Sequence, residues 1–188
     1  LDDELLLSYV SKFARFDNVH FLVGRRGNGY LDANIFWNEL ARFATGRWLV
    51  CFNDDAIMES PGWDAELERH ETDSGLCLVH PYDNYNRTSF PIVTRAVYET
   101  LGHIAVFPGV DTWMNRVAAG VIPTQRAEAI RIRHERPNLP GYAHLNDKTW
   151  EESDVAEQQL CREWNDKARW DPLAEKDIAK LKEAMSEC

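Results

Sequence analysis

The chain has 188 residues, 44% of them hydrophobic and 11% aromatic, with a formal net charge of −10. That length suits one domain with a real core and argues against a second full one, and the composition excludes a disordered chain. The acidic excess argues against a reader of nucleic-acid backbone, which needs a basic footprint; an anionic ligand would need a local cation or metal beside it.

Residues 1–16 read as an amphipathic helix, with Leu6, Tyr9, Val10 and Phe13 at helical spacing and Asp2, Asp3 and Glu4 at the positive N-terminal end. Asn18 to Val23 read as a strand, in which Val19, Phe21 and Val23 alternate. The following Gly24-Arg25-Arg26-Gly27-Asn28-Gly29 is a loop. Its glycines allow close backbone approach to a ligand and its two arginines suit phosphate, although a plain surface loop has the same composition. It lacks the Gly-Lys-Ser/Thr ending of a P-loop. Asp32 stands where it would cap a second helix over residues 33–45, with Phe36, Leu40, Phe43 and Ala44 as its apolar stripe and Gly46 as its stop.

Arg47 to Asp55 organises the chain. Trp48-Leu49-Val50-Cys51-Phe52 is a short apolar run, as in a strand buried on both faces, and Asn53-Asp54-Asp55 ends it in an amide and two carboxylates. Burying a carboxylate is costly unless it is paired or metal-bound, and in open α/β sheets ligands sit beyond the carboxyl ends of strands. If the segment stays extended, Asn53 and Asp55 point one way and Asp54 the other, which suits a hard cation such as Mg²⁺ or Mn²⁺. A solvated turn that caps the next helix is the competing reading.

Pro61-Gly62-Trp63-Asp64 opens a helix to about residue 70, and Gly75 to His80 is a short strand. Tyr82-Asp83-Asn84-Tyr85-Asn86 reads as a polar, aromatic loop, able to line a sugar pocket but more commonly mere surface. A strand over Phe90 to Thr94 leads into a helix over Arg95 to Leu101, stopped by Gly102. Taken alone, Asp111 is the N-cap of a helical segment that ends at Gly120. In Ala127 to Arg133 the pattern alternates, so that Ile130, Ile132 and His134 share the inward face and Arg131 and Arg133 the other. An inward histidine is more commonly a hydrogen-bonded core residue than a metal ligand.

From about residue 151 the sequence turns charged and helical. Glu157, Leu160, Cys161, Trp164 and Ala168 form one stripe, and Pro172 divides it from a last helix that carries Ala174, Ile178, Leu181 and Met185. This tail suits packing or a partner surface, and a homo-oligomer through it is one expectation. Cys51, Cys77, Cys161 and Cys188 are scattered without a C-x-x-C, and Cys51 and Cys77 fall in expected core strands. Unpaired cysteines, with no signal peptide and no run as long as a membrane span, make the cytoplasm the expected compartment.

The alternation of strands and helices predicts an α/β fold. Within it, Asn38, Ala41, Ala44 and Gly46, the apolar strand, Asn53-Asp54-Asp55 and then Pro61-Gly62-Trp63 resemble, in order and spacing, the family 2-like inverting glycosyltransferases of the GT-A fold. Weaker agreement runs through Phe90-Pro91-Ile92-Val93-Thr94-Arg95, Leu101-Gly102, Asp111 and His134, and the likeness covers about residues 5–135. It implies a mixed central sheet flanked by helices, a GT-A-like catalytic domain over residues 1–150 and a helical extension over 151–188. It further implies transfer of a sugar from a nucleotide-diphosphate donor, a UDP-sugar by family habit, to a hydroxyl of a glycan or other acceptor. By position in the D-x-D type motif, Asp55 is the implied ligand of Mn²⁺ or Mg²⁺, and His134 matches the late histidine that completes the metal site. Asn53, Asp54, Asn38, Arg25 and Arg26 fall to donor binding, and Asp111 to the catalytic base.

Some positions depart from the pattern. Asn53 stands where an acid is frequent, and Val110 where a glutamate commonly precedes the base. Nothing before Leu5 supplies the uracil-binding first strand, so a reduced version, or one whose start is missing, is expected. Two other functions stay open: a non-catalytic nucleotide-sugar or glycan-binding module of the same fold, and a metal-dependent phosphohydrolase that uses the same acids.

Overall fold

The structure is a computed structural model and describes residues 4–22, 29–85, 88–136, 139–141, 155, 158, 159, 162 and 164–187. Helix α1 spans Glu4–Phe13 and α2 spans Ala33–Phe43. Strands β1 (Trp48–Val50) and β2 (Ala56–Met58) precede α3 (Trp63–Leu67), which runs into a 3-10 turn over Glu68–His70. Then come β3 (Leu78–Asp83), β4 (Ile92–Thr94), α4 (Arg95–Leu101), α5 (Val110–Ala118), β5 (Thr124–His134) and α6 (Lys167–Ser186).

The five strands form one mixed, curled sheet in the order β1-β4-β3-β5-β2, in which only the β3–β5 pair is parallel. The mixed α/β class expected from the pattern is thus present. The β3–β5 register jumps at Pro81/Tyr82: Pro81 faces Ala127, whereas Tyr82 faces Arg131. The residues inserted into β5 bend it, as bulges do, and its far half pairs with β2, where Ala56 faces His134.

Side-chain alternation sorts the sheet into two packed faces. Leu49, Leu78 and Val93 pack with Val97 and Leu101 of α4, Trp113, Met114 and Val117 of α5, and Trp170, Ala174 and Leu181 of α6. On the opposite face, Cys77, Val79 and Ile92 meet Leu67 of α3 and Ala127 and Ile130 of β5. The buried carboxylate of Asp177 ties α6 down: it accepts from Trp113 Nε1 at 3.2 Å and lies 2.7 Å from His103 Nε2, while Lys180 Nζ donates to the Leu101 carbonyl at 2.7 Å.

Several expectations are corrected. Residues 18–22 are not a strand: a turn closes over Phe13–Val19, and among the described residues no neighbouring strand pairs with the backbone beyond it. Among the described residues β1 pairs on one side only, with β4. Helix α6 runs through Pro172, and the break lies earlier, at Asn165–Asp166, where the Asp166 side chain caps Arg169 N. A proline inside a helix costs about 3 kcal/mol, but Trp170, Ala174, Asp177 and Leu181 are all buried by keeping the helix continuous. Tyr82 and Asp83 belong to β3, not to a loop. Asp32 sits at the N-cap position of α2 without a side-chain capping bond. Most of residues 151–163, including Leu160 and Cys161, fall outside the described residues, as does Cys188.

Candidate functional site

The carboxyl ends of β1, β3 and β5 meet at one corner of the sheet. After Val50 the backbone is irregular, and Asp54-Asp55 form a turn. The expected alternation of Asn53, Asp54 and Asp55 therefore does not hold: the strand has already ended. What places Asp55 is the next pairing. Because Ala56 faces His134, Glu135 N donates to the Asp55 carbonyl at 2.7 Å and the two side chains are neighbours.

His134 Nε2 lies 3.1 Å from Asp55 Oδ2. The histidine points inward with Ile130 and Ile132, as its place in the alternation predicts, and all three are buried. Its side chain is only 4% exposed, against 31% for that of Asp55, so the pair opens to solvent on the acid side. With Nε2 protonated, the imidazole donates to the carboxylate and leaves Nδ1 as a lone-pair acceptor. Both His134 Nδ1 and Asp55 Oδ1 are buried without a hydrogen-bond partner.

Three side chains hold this histidine. Asn84, just past β3, accepts from His134 N at 2.6 Å through Oδ1 and donates to the His134 carbonyl at 3.2 Å through Nδ2. An amide side chain here does the work of one more strand residue. Phe90 packs on the imidazole at 4.8 Å between ring centres, and Tyr85 meets it edge-on at 5.8 Å. Asp83 Oδ1 in turn accepts from Tyr85 N at 2.7 Å and sets the turn that carries the tyrosine.

Asp111 is not an N-cap. Helix α5 begins at Val110 with Gly109 at the cap position, so Asp111 lies within the first turn, half-buried, where the helix dipole favours a carboxylate. Burial first, and the Asp111 carboxylate second, push the Cys51 thiol up to about 12, which places Asp111 beside the residue that follows β1. Burial likewise pushes Cys77 up to about 11, so both thiols stay protonated near neutrality. Burial, with Arg126 nearby, lowers the pKa of His80 from 6.5, which keeps this imidazole neutral at pH 7.

Of the other residues picked out by sequence, Asn53 and Asp54 are exposed at the tip beyond β1. Asn38 is committed elsewhere: Oδ1 accepts from Ile104 N at 2.7 Å and Ala105 N at 3.1 Å, and Nδ2 donates to the Ala105 carbonyl at 2.8 Å, which pins α2 to the loop after α4. Arg25 and Arg26 lie outside the described residues. Asn84 and Tyr85 stood only inside a polar, aromatic stretch. An amide directly beyond a buried strand of an α/β sheet was the signal that they border the site.

No family model, curated protein or solved structure matches the chain.

Proposed function

We propose that this corner is the donor site of a metal-dependent, inverting glycosyltransferase of GT-A type, which moves a sugar from a nucleotide-diphosphate donor to a hydroxyl acceptor. One observation carries the reading: a half-open carboxylate, Asp55, lies 3.1 Å from a buried histidine at the carboxyl edge of the sheet. Two groups bound side by side to one octahedral cation, each at about 2.1 Å, stand about 3 Å apart. The pair's spacing therefore fits a shared Mn²⁺ or Mg²⁺ as well as it fits a direct hydrogen bond. Asp55 and His134 would hold the ion. Such a cation supplies neutralisation of the charge that gathers on a departing diphosphate.

The chain's own groups take the other roles. Exposed Asn53 and Asp54, next to Asp55, contact the donor. Asp111 takes the proton of the acceptor hydroxyl as its oxygen bonds to the anomeric carbon from the side opposite the diphosphate; the anomeric carbon–oxygen bond breaks, and the diphosphate leaves with that electron pair. A base so placed contributes about 10²–10⁴-fold in rate.

A non-catalytic nucleotide-sugar-binding module is the second reading. It is favoured by the sparse ligand set, since no group of three or more metal-binding side chains stands together among the described residues. Calorimetric titration with a UDP-sugar and Mn²⁺, followed by a donor-turnover assay, separates the two. Mn²⁺-dependent binding that disappears in Asp55→Ala is expected, as is transfer that Asp111→Asn abolishes while binding persists. Asp55→Ala binding as tightly as the wild type sinks the metal assignment; binding without turnover selects the module.

A further inference from the structure

Residues 18–22, α2 and the end of β1 enclose a cavity of about 730 Å³. Small-molecule sites run from about 300 to 1,000 Å³, so this space has room for a ligand of several rings or a medium-length chain. Trp37, Phe43, Trp48 and Phe52 line it together with Leu40 and Leu49, which makes its walls apolar and largely aromatic. Asn18 and His20, both exposed, bring polar groups to its solvent side.

The walls are held in place. Asn38 ties α2 to Ile104 and Ala105, and Ile104 is itself part of the lining. Arg95 Nε donates to the Gly46 carbonyl at 2.8 Å and Nη2 to the Ala44 carbonyl, which anchors the chain between α2 and β1. A preformed apolar space buries a ligand with little reordering cost.

One end of the cavity reaches the proposed site. Cys51 and Phe52, the two residues after β1, both line it. Phe52 packs on Phe90 at 5.8 Å between ring centres, and Phe90 on His134 at 4.8 Å. Val110 packs in the same buried cluster as Cys51 and Ile104, which brings the first turn of α5, and with it Asp111, to that end. A molecule seated here meets apolar side chains along its body and a carboxylate near its tip. A sugar suits such walls poorly, because hydroxyls all round its ring would lose water without gaining partners. An apolar body with one hydroxyl suits them well.

We infer that this cavity binds an apolar alcohol and is the acceptor site: the hydrophobic body lies among Trp37, Leu40, Leu49 and Phe52, and the hydroxyl reaches toward Asp111. This rests on the transferase reading and names the acceptor class that the corner leaves open. In the transfer, the alcohol oxygen bonds to the anomeric carbon of the nucleotide sugar and its proton passes to Asp111. The diphosphate leaves with the electron pair of the bond that breaks.

The test is titration calorimetry of the full chain with 2-naphthol and with 1-octanol, and with glycerol as a polar control. Both apolar alcohols are expected to bind and glycerol is not. Leu40→Asp and Leu22→Asp change exposed lining residues, so the core is untouched, and each should weaken both alcohols roughly 10-fold or more, the scale of a small change in a hydrophobic pocket. Leu7→Asp, exposed but outside the lining, should leave binding within twofold of wild type. A wild-type chain that binds neither alcohol overturns the inference, as do affinities within twofold of wild type in both lining variants. Sedimentation tests another occupant: a wild-type dimer that Leu40→Asp dissociates shows a second copy seated here and likewise overturns it. Turnover of UDP-glucose, UDP-galactose and UDP-N-acetylglucosamine with Mn²⁺ judges the underlying reading separately. Transfer to maltose by a chain that binds neither apolar alcohol removes the cavity assignment alone, whereas alcohols bound through Leu40 and Leu22 without any donor turnover support the cavity and remove the transferase.

Discussion

Two regions of the molecule handle apolar side chains in opposite ways. At the β3–β5 corner, Phe90, Ile130, Ile132 and His134 are buried, and the His134 backbone is hydrogen-bonded on both sides by Asn84. In residues 4–43, Leu7, Phe16, Val19, Phe21, Leu22, Ile35, Phe36, Leu40 and Phe43 are all exposed. A cavity of about 730 Å³ lies between this region and β1, lined by His20, Leu22, Trp37 and Leu40 on one side and Leu49 and Cys51 on the other. The contrast teaches that an apolar stripe states only what a helix could bury. A neighbouring surface decides whether it does. At the corner the parallel β3–β5 pair supplies that surface; beside β1, among the described residues, no strand does.

Substitutions in the two regions should therefore differ in cost. The largest effect is expected from Phe90→Ala. It removes a fully buried ring that packs on His134, and urea unfolding should register a loss of about 3–5 kcal/mol. A loss under 1 kcal/mol would mean that the corner is as loosely packed as the N-terminal region. Asn84→Ala comes next. It strips both partners from the His134 backbone and should cost about 1–3 kcal/mol in the same measurement. If stability is unchanged, the Asn84 clamp does not hold His134. The smallest effect belongs to Phe43→Ser in α2, where the ring is 55% exposed; a change within about 0.5 kcal/mol is expected. A cost of 2 kcal/mol or more there would show that this face is covered in solution, and the contrast would fail.

Much of the corner was legible in the sequence. The apolar run before Asn53-Asp54-Asp55 marked a strand, though that strand stops at Val50, short of the acids, and the alternation of Ile130, Ile132 and His134 marked an inward histidine; neither depends on distant contacts. The helix over Arg95–Leu101 was legible to the residue, because Gly102 stops it in the left-handed conformation, with φ +81°. The described part of the expected strand, residues 18–22, misled for the opposite reason. Alternation describes a strand's faces, but a strand exists only when a neighbour accepts its hydrogen bonds. Pro172 misled because a local helix-breaking cost was outweighed by the core that Trp170 joins.

From the sequence alone came the inventory: which stretches are apolar, where acids follow an apolar run, and which face His134 takes. Tertiary structure decided the rest. That Asp55 meets His134 depends on the bend in β5, which hands its last residues to β2; that Asn84 clamps the histidine and Tyr85 carries Arg136 depends on where β3 ends beside it. These partners lie about 50 or more residues apart along the chain. Side-chain period is a local property that sequence can display, whereas register between distant strands is set only when the whole core packs.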